Sequence, residues 1–133
     1  MGHQQTPRDQ GFCQDCYAHL QSANDTAKSC ADAGDTPACY DRICYEFQNL
    51  REAARSMHQA ILEKYARTMA GYTRFLRKKL QEGITTAERE LLFEGIQLAL
   101  QCRAGENKRS CPEMNYDRLL PLLNKIEAHM QPQ

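Results

Sequence analysis

The chain has no tryptophan and no valine among its 133 residues. Valine is one of the residues that pack best on the pleated surface of a β-sheet, so its absence argues against a sheet-rich fold. Alanine, leucine, glutamate, glutamine and arginine are frequent instead, and all five favour helices. We therefore predict an all-α protein, and the length favours a single domain.

Long apolar runs are also missing. No stretch approaches the roughly 20 apolar residues that a transmembrane helix needs. The opening residues, MGHQQTPRDQ, are polar and lack the apolar core of an export signal. We expect residues 1–8 to be a disordered tail or a short artificial extension, followed by one helical domain over residues 9–133.

The sequence also lacks the motifs on which common catalytic sites are built. There is no phosphate-binding loop, nucleophile elbow or metalloprotease helix, and His19, His58 and His129 are far apart along the chain. We therefore predict a protein that is not an enzyme and that uses no cofactor.

Apolar residues at steps of three and four predict four helices. These helices cover residues 9–32, 38–81, 85–104 and 113–130. The second would be overlong for a compact domain of this size, at about 60 Å. We predict a four-helix bundle in which this helix either bends near Gly71 or protrudes and binds a partner, such as a second copy of the chain.

Seven cysteines are the most prominent feature that is present. Four of them form two Cys-x8-Cys brackets, CADAGDTPAC at Cys30 and Cys39 and CRAGENKRSC at Cys102 and Cys111. The cysteines of a bracket are equidistant from the centre of a short loop, so they face each other if the loop joins two antiparallel helices. We predict a disulfide at the mouth of each hairpin, with buried reduced cysteines as the alternative. Disulfides would place the protein in the periplasm or outside the cell, with an export signal removed beforehand.

Three further cysteines, Cys13, Cys16 and Cys44, leave an odd one to stay free or to pair between chains. Two of them lie in CQDCYAH, where Cys13, Cys16 and His19 have the spacing of half a zinc site. The second pair of ligands that completes such sites is absent from the sequence. A metal-binding or metal-sensing protein is therefore an alternative function, and a structural role in a disulfide or in the core is the competing interpretation.

Charge is balanced overall but unevenly distributed. The chain has 17 basic and 17 acidic residues, and nine basic residues against five acidic ones fall between positions 38 and 83. The interval 64–79 is basic with interleaved aromatic residues, a pattern typical of surfaces that bind nucleic acids or other anions. The same residues could instead form a solvated face or pair with the acidic first third of the chain. Nucleic acid is therefore the less favoured partner.

The leading hypothesis is recognition of another protein. A small bundle stiffened by disulfides loses little entropy on binding, and tyrosine and arginine are common at the centres of interfaces. We predict an exported inhibitor or immunity protein that neutralises a secreted toxin or hydrolase. Its candidate contact residues are Tyr17, Tyr40, Tyr45, Arg67, Arg74, Lys78 and Tyr116.

Overall fold

A computed structural model describes the backbone of residues 7–104 and 116–131 and the side chains of residues 14–101 and 118–131. All regular structure within these ranges is helical, which confirms the all-α prediction there. In this part of the chain, no helix combines the length and the apolar character that crossing a bilayer requires. The elements are α1 (Pro7–Ala33), α2 (Pro37–Ser56), α3 (Ala60–Lys79), α4 (Thr86–Ala104), a 3₁₀ turn (Tyr116–Leu119) and α5 (Leu120–Met130). Helix α1 thus begins at Pro7, inside the stretch expected to be a tail.

The predicted overlong second helix is wrong. Residues 38–81 form two helices, α2 and α3, which are separated by residues 57–59. The two pack antiparallel, so that Arg77 near the end of α3 meets Asp41 near the start of α2 with an Nε–Oδ1 distance of 2.6 Å. Gly71, the predicted bend, lies inside α3. The described part of the chain therefore has no protruding half-helix through which a second copy would bind.

The first hairpin, formed by α1 and α2, is closed as the first cysteine bracket predicts. Cys30 and Cys39 are joined by a disulfide, with their Cα atoms 6.0 Å apart. Helix α2 begins at the same place, because the Thr36 hydroxyl accepts a 3.3 Å hydrogen bond from the backbone N–H of Cys39 and caps the helix. The second bracket, at Cys102 and Cys111, lies outside the described side chains.

Helices α4 and α5 complete the bundle around a core rich in tyrosine. Helix α4 packs against α1 and α3, and α5 packs against α3 and α4. Tyr65 and Tyr72 of α3 are fully buried, and their hydroxyls donate 2.8 Å hydrogen bonds to the backbone carbonyls of Gly95 and Glu88 in α4. These bonds satisfy the polar ends of the largest core side chains. These tyrosines are therefore among the largest side chains of the core, and their hydrogen bonds also orient α4 on α3.

The reversal between α2 and α3 is a Schellman motif. His58 has a left-handed backbone, with a φ of +57°. The backbone N–H of Gln59 donates to the Ala54 carbonyl at 2.8 Å, and that of His58 donates to the Arg55 carbonyl at 3.2 Å. The stretch SMHQA contains no glycine or proline, and the apolar residues keep helical spacing across it. Its periodicity is therefore indistinguishable from that of one continuous helix.

Glycine at position 58 should stabilise the protein. A non-glycine residue in a left-handed conformation costs about 1 kcal/mol or more, and glycine adopts it without that cost but loses more entropy on folding. We expect His58→Gly to raise the free energy of unfolding by about 0.5–1 kcal/mol, measured by urea denaturation. Ser56→Gly, in the last turn of α2, is the control and should lower it by about 0.5 kcal/mol. If His58→Gly lowered the free energy of unfolding, residue 58 would not have the left-handed backbone on which this reversal depends.

Alanine at position 71 should also stabilise the protein, for a different reason. A Cβ atom built on Gly71 meets no other atom within 4 Å, so the helix has room for it. Replacing a glycine inside a helix gains about 0.5–1 kcal/mol, and we expect that increase for Gly71→Ala in the same measurement. At Gly95 a Cβ atom would lie 2.6 Å from Met69 Cε, so Gly95→Ala, the matched control, should bring no comparable gain. If both substitutions raised the free energy of unfolding equally, the two glycines would have similar surroundings, which would contradict this structure.

Candidate functional site

Helices α2 and α3 form the second hairpin, and a groove of about 430 Å³ runs between them on its outside. Tyr45 stands at its edge with 53% of its surface exposed, more than any other large apolar side chain in the described residues. The guanidinium carbon of Arg42 lies 5.8 Å from the centre of the Tyr45 ring and steadies it by a cation–π contact. The groove is lined by Asp41, Cys44, Tyr45, Gln48, Arg74, Arg77 and Lys78.

The charges around this groove are predominantly positive. Arg77 is neutralised by its ion pair with Asp41. Arg74 and Lys78 are exposed, lie one helical turn apart and have no ion-pair partner among the described side chains. The groove therefore presents an aromatic ring beside two unneutralised cations, an arrangement that suits an anionic group next to an apolar one.

Cys44 forms the floor of the groove and is 8% exposed. It carries a free thiol, and its Sγ atom lies 3.7 Å from both the Ala70 carbonyl oxygen and Arg74 Nη1. Cys16, on α1, is buried in the core, and the side chain of Cys13 lies outside the described residues. The walls of the groove thus shield the Cys44 thiol from solvent.

Five of the predicted contact residues are exposed in the structure. Tyr17 lies on α1 with 40% of its surface exposed, and the others, Tyr45, Arg67, Arg74 and Lys78, lie on the second hairpin. Three of those four line the groove. Residues that the sequence selects only by type are therefore brought together by the reversal between α2 and α3.

Tyr40 does not meet the expectation of an exposed contact residue. It is 2% exposed, and its hydroxyl donates a 2.9 Å hydrogen bond to the Asp35 carboxylate, which Arg89 also binds. Burial and the Asp35 carboxylate raise the pKa of Tyr40. Asp35, in the loop of the first hairpin, thus links Tyr40 of α2 to Arg89 of α4. The side chain of Tyr116, the remaining predicted contact residue, lies outside the described part of the chain.

The predicted zinc half-site is described only in part. Cys13 lies outside the described side chains and Cys16 is buried, while His19 Nδ1 lies 2.8 Å from Glu46 Oε2. Arg42 also binds the Glu46 carboxylate, at 3.2 Å. Among the described side chains, no three histidine, cysteine, aspartate or glutamate residues come together as metal ligands must. The contact of His19 with Glu46 joins α1 to α2.

A second polar cluster, which the sequence analysis does not predict, lies where α3, α4 and α5 meet. Glu88 is 2% exposed, and its Oε2 atom lies 2.8 Å from His129 Nε2 and 2.7 Å from Lys79 Nζ. Its Oε1 atom accepts a 3.0 Å hydrogen bond from the Thr85 backbone N–H, one half of a capping box. Burial raises the pKa of Glu88, but the hydrogen bonds from His129, Lys79 and Thr85 outweigh it and hold that pKa at about 2.

This cluster acts as a clamp between three helices. The Thr-x-x-Glu spacing of Thr85 and Glu88 signals the capping box, but Lys79 and His129 are 9 and 41 residues away from Glu88, so no local pattern points to them. A histidine oriented by a buried carboxylate resembles half of a catalytic triad. The described residues of the adjoining pocket are alanine, leucine, glutamate, lysine and histidine, and none of them is a hydroxyl or thiol nucleophile. Its contacts are those of a structural clamp.

Known proteins give no guide to the function of this chain. No protein family, curated protein or solved structure matches it. What distinguishes this chain is the chemistry of its residues: an exposed aromatic ring, two unneutralised cations and the hairpin that holds them.

The Glu88 clamp should make stability depend on pH at the acid end. The pKa of Glu88 is about 2 in the folded protein against an ordinary 4.5, so its ionised form contributes stability that is complete above pH 4.5 and is lost as the pH falls toward 2. We expect Glu88→Gln to lower the free energy of unfolding by roughly 2 kcal/mol at pH 7 and by much less near pH 2, measured by urea denaturation at each pH.

Glu90→Gln is the control for this prediction, because Glu90 is an exposed neighbour on the same helix. It should change the free energy of unfolding by less than about 0.5 kcal/mol at either pH. If the deficit of Glu88→Gln were the same at pH 7 and pH 2, the ionised carboxylate would not be the stabilising species.

Proposed function

We propose that this protein is an exported, non-enzymatic protein that binds another protein through the groove between α2 and α3. The observation that carries the proposal is the exposure of Tyr45, with more than half of its surface in solvent, next to Arg74 and Lys78. The tyrosines of α3, by contrast, are buried in the core. An exposed aromatic ring beside an arginine is the composition found at the centres of protein interfaces.

The groove is a stiff surface. Its walls are two packed helices joined by residues 57–59, and the hairpin that supports α2 is closed by the disulfide between Cys30 and Cys39. A surface that is ordered before it binds loses less conformational entropy than one that folds on its partner. The rigidity of the hairpins therefore supports a role in binding.

The disulfide supports an oxidising compartment, either the periplasm or the outside of the cell. In that compartment we propose that the partner is a secreted toxin or hydrolase, which this protein neutralises as an immunity protein or inhibitor. Such complexes need only about 800 Å² of surface from each partner, and a helical hairpin of this size can supply it.

Site-specific photocrosslinking tests this proposal. Full-length chains carrying benzoylphenylalanine in place of Tyr45 would be mixed with the periplasmic or secreted proteins of the producing cell and irradiated. We expect one partner protein to be crosslinked from position 45. Tyr45→Ala should bind the purified partner about tenfold more weakly, because the interface loses its aromatic anchor. The wild-type chain should inhibit the activity of that partner.

The same crosslinker at Glu94, an exposed residue of α4, is the matched control and should capture no partner. Equal capture from positions 45 and 94, or unchanged binding by Tyr45→Ala, would reject the groove as the binding surface. A partner that is bound without losing activity would reject the inhibitory role and retain the binding role.

A further inference from the structure

Beyond its first turn, which contains Glu63, the outer face of α3 carries only positive charge. Between positions 64 and 79, all four exposed residues are basic: Arg67, Arg74, Arg77 and Lys78. Five residues of this helix recur at steps of three and four and so lie on one face, about 21 Å long at about 1.5 Å per residue. We call this face the basic strip, and its members are Lys64, Arg67, Gly71, Arg74 and Lys78.

The described part of the chain contains no acidic group that neutralises the cations of the basic strip. The neighbouring cations Arg77 and Lys79 are paired with Asp41 and Glu88. None of the four cations of the basic strip has an ion-pair partner among the described side chains. Like charges one turn apart on a helix destabilise it. The chain as a whole carries equal numbers of basic and acidic residues, so an excess of basic residues does not explain these neighbours. The concentration of charge is therefore a property of this face and not of the composition.

Gly71 leaves a depression in the middle of the basic strip. A Cβ atom at this position would meet no atom within 4 Å, and the residue does not have a positive φ, so neither crowding nor backbone conformation requires a glycine. Glycine disfavours the helix that contains it. The missing side chain instead lets the surface of a partner approach the α3 backbone closely between Arg67 and Arg74.

We infer that the basic strip binds an acidic helix of the partner protein, an inference that rests on the proposed function and names the chemistry of its partner. A helix with carboxylates at steps of three and four would match the spacing of the cations. A protein fits better than a nucleic acid because Glu52, exposed on the facing side of α2, would repel a phosphate backbone, which is negative along its whole length. A helix, by contrast, can place carboxylates over the basic strip and neutral side chains over Glu52. Tyr45 lies on the same side of α2, two helical turns before Glu52, and suits an apolar side chain of the same partner helix.

A titration of the isotope-labelled full-length chain with a designed helical peptide tests this inference. The peptide has glutamate at steps of three and four on one face, and a matched peptide has glutamine at the same positions. We expect the glutamate peptide to shift backbone amide signals of residues 64–78 and 41–52 in NMR spectra, and the glutamine peptide to leave them unchanged. Binding should weaken about tenfold between 50 and 250 mM salt, because the attraction is screened.

Three variants distinguish the basic strip from general attraction to a basic protein. Arg74→Glu should weaken peptide binding about tenfold or more, and Gly71→Phe should do the same by filling the depression without changing charge. Arg118→Glu alters an exposed cation outside the strip and should change binding less than about twofold. Circular dichroism and the melting temperature establish that each variant is folded.

Other results would overturn the inference. Tighter binding of a 12-base-pair DNA duplex at the same amides would make the strip a nucleic-acid surface, and concentration-dependent shifts without any peptide would make it a contact between copies of this chain. No response of the strip to the glutamate peptide would also overturn it. A partner captured from position 45 and bound equally well by Arg74→Glu would overturn this inference alone. If no partner is captured from position 45 while the glutamate peptide still shifts the amide signals of the strip, the proposed function would be overturned instead.

Discussion

The left-handed backbone of His58 determines how the charges of this protein are arranged. Because the chain reverses at residues 57–59, α3 folds back along α2 and does not extend from it. The exposed sides of the two helices therefore form one surface, with Tyr45 and Arg74 on opposite walls of a groove. In a continuous helix these two residues would be separated by about 44 Å. The candidate binding face exists because of this one turn, which costs the helix a residue in an unfavourable conformation.

The inner face of α3 is fixed by polar contacts as well as by apolar packing. Tyr65 and Tyr72 donate to backbone carbonyls of α4, and Glu88 of α4 binds Lys79 of α3 and His129 of α5. Apolar packing sets how closely helices approach, whereas hydrogen bonds with defined partners set how far each is shifted along the next. The inner face therefore satisfies its polar groups within the protein. On the outer face, the cations of the basic strip have no ion-pair partner among the described side chains, and this contrast supports our proposal that the outer face binds a partner.

What the sequence could predict depended on whether the signal was local. The disulfide between Cys30 and Cys39 follows from two cysteines placed symmetrically about one short loop, and the helical class follows from composition. The reversal at His58 was missed because its turn contains no glycine or proline and keeps the apolar spacing of a helix. The burial of Tyr40 was missed because the residue was selected by type, although it lies at helical spacing from the buried Ile43 and Phe47. The carboxylate that Tyr40 binds is also bound by Arg89, which is 49 residues away from Tyr40, and such long-range polar partners leave no periodic trace in the sequence.

Three features of this chain act against local stability, and they differ in what the fold gains from them. The left-handed His58 is required, because the second hairpin depends on it. The glycine at position 71 and the like charges of Arg74 and Lys78 are not required, because the helix has room for a side chain and no described acidic group pairs with the cations. Departures from local consistency that bring no structural gain are expected at functional sites. Both of these lie on the outer face of α3, and a molecule bound at that face, as we propose, would supply the compensating interaction.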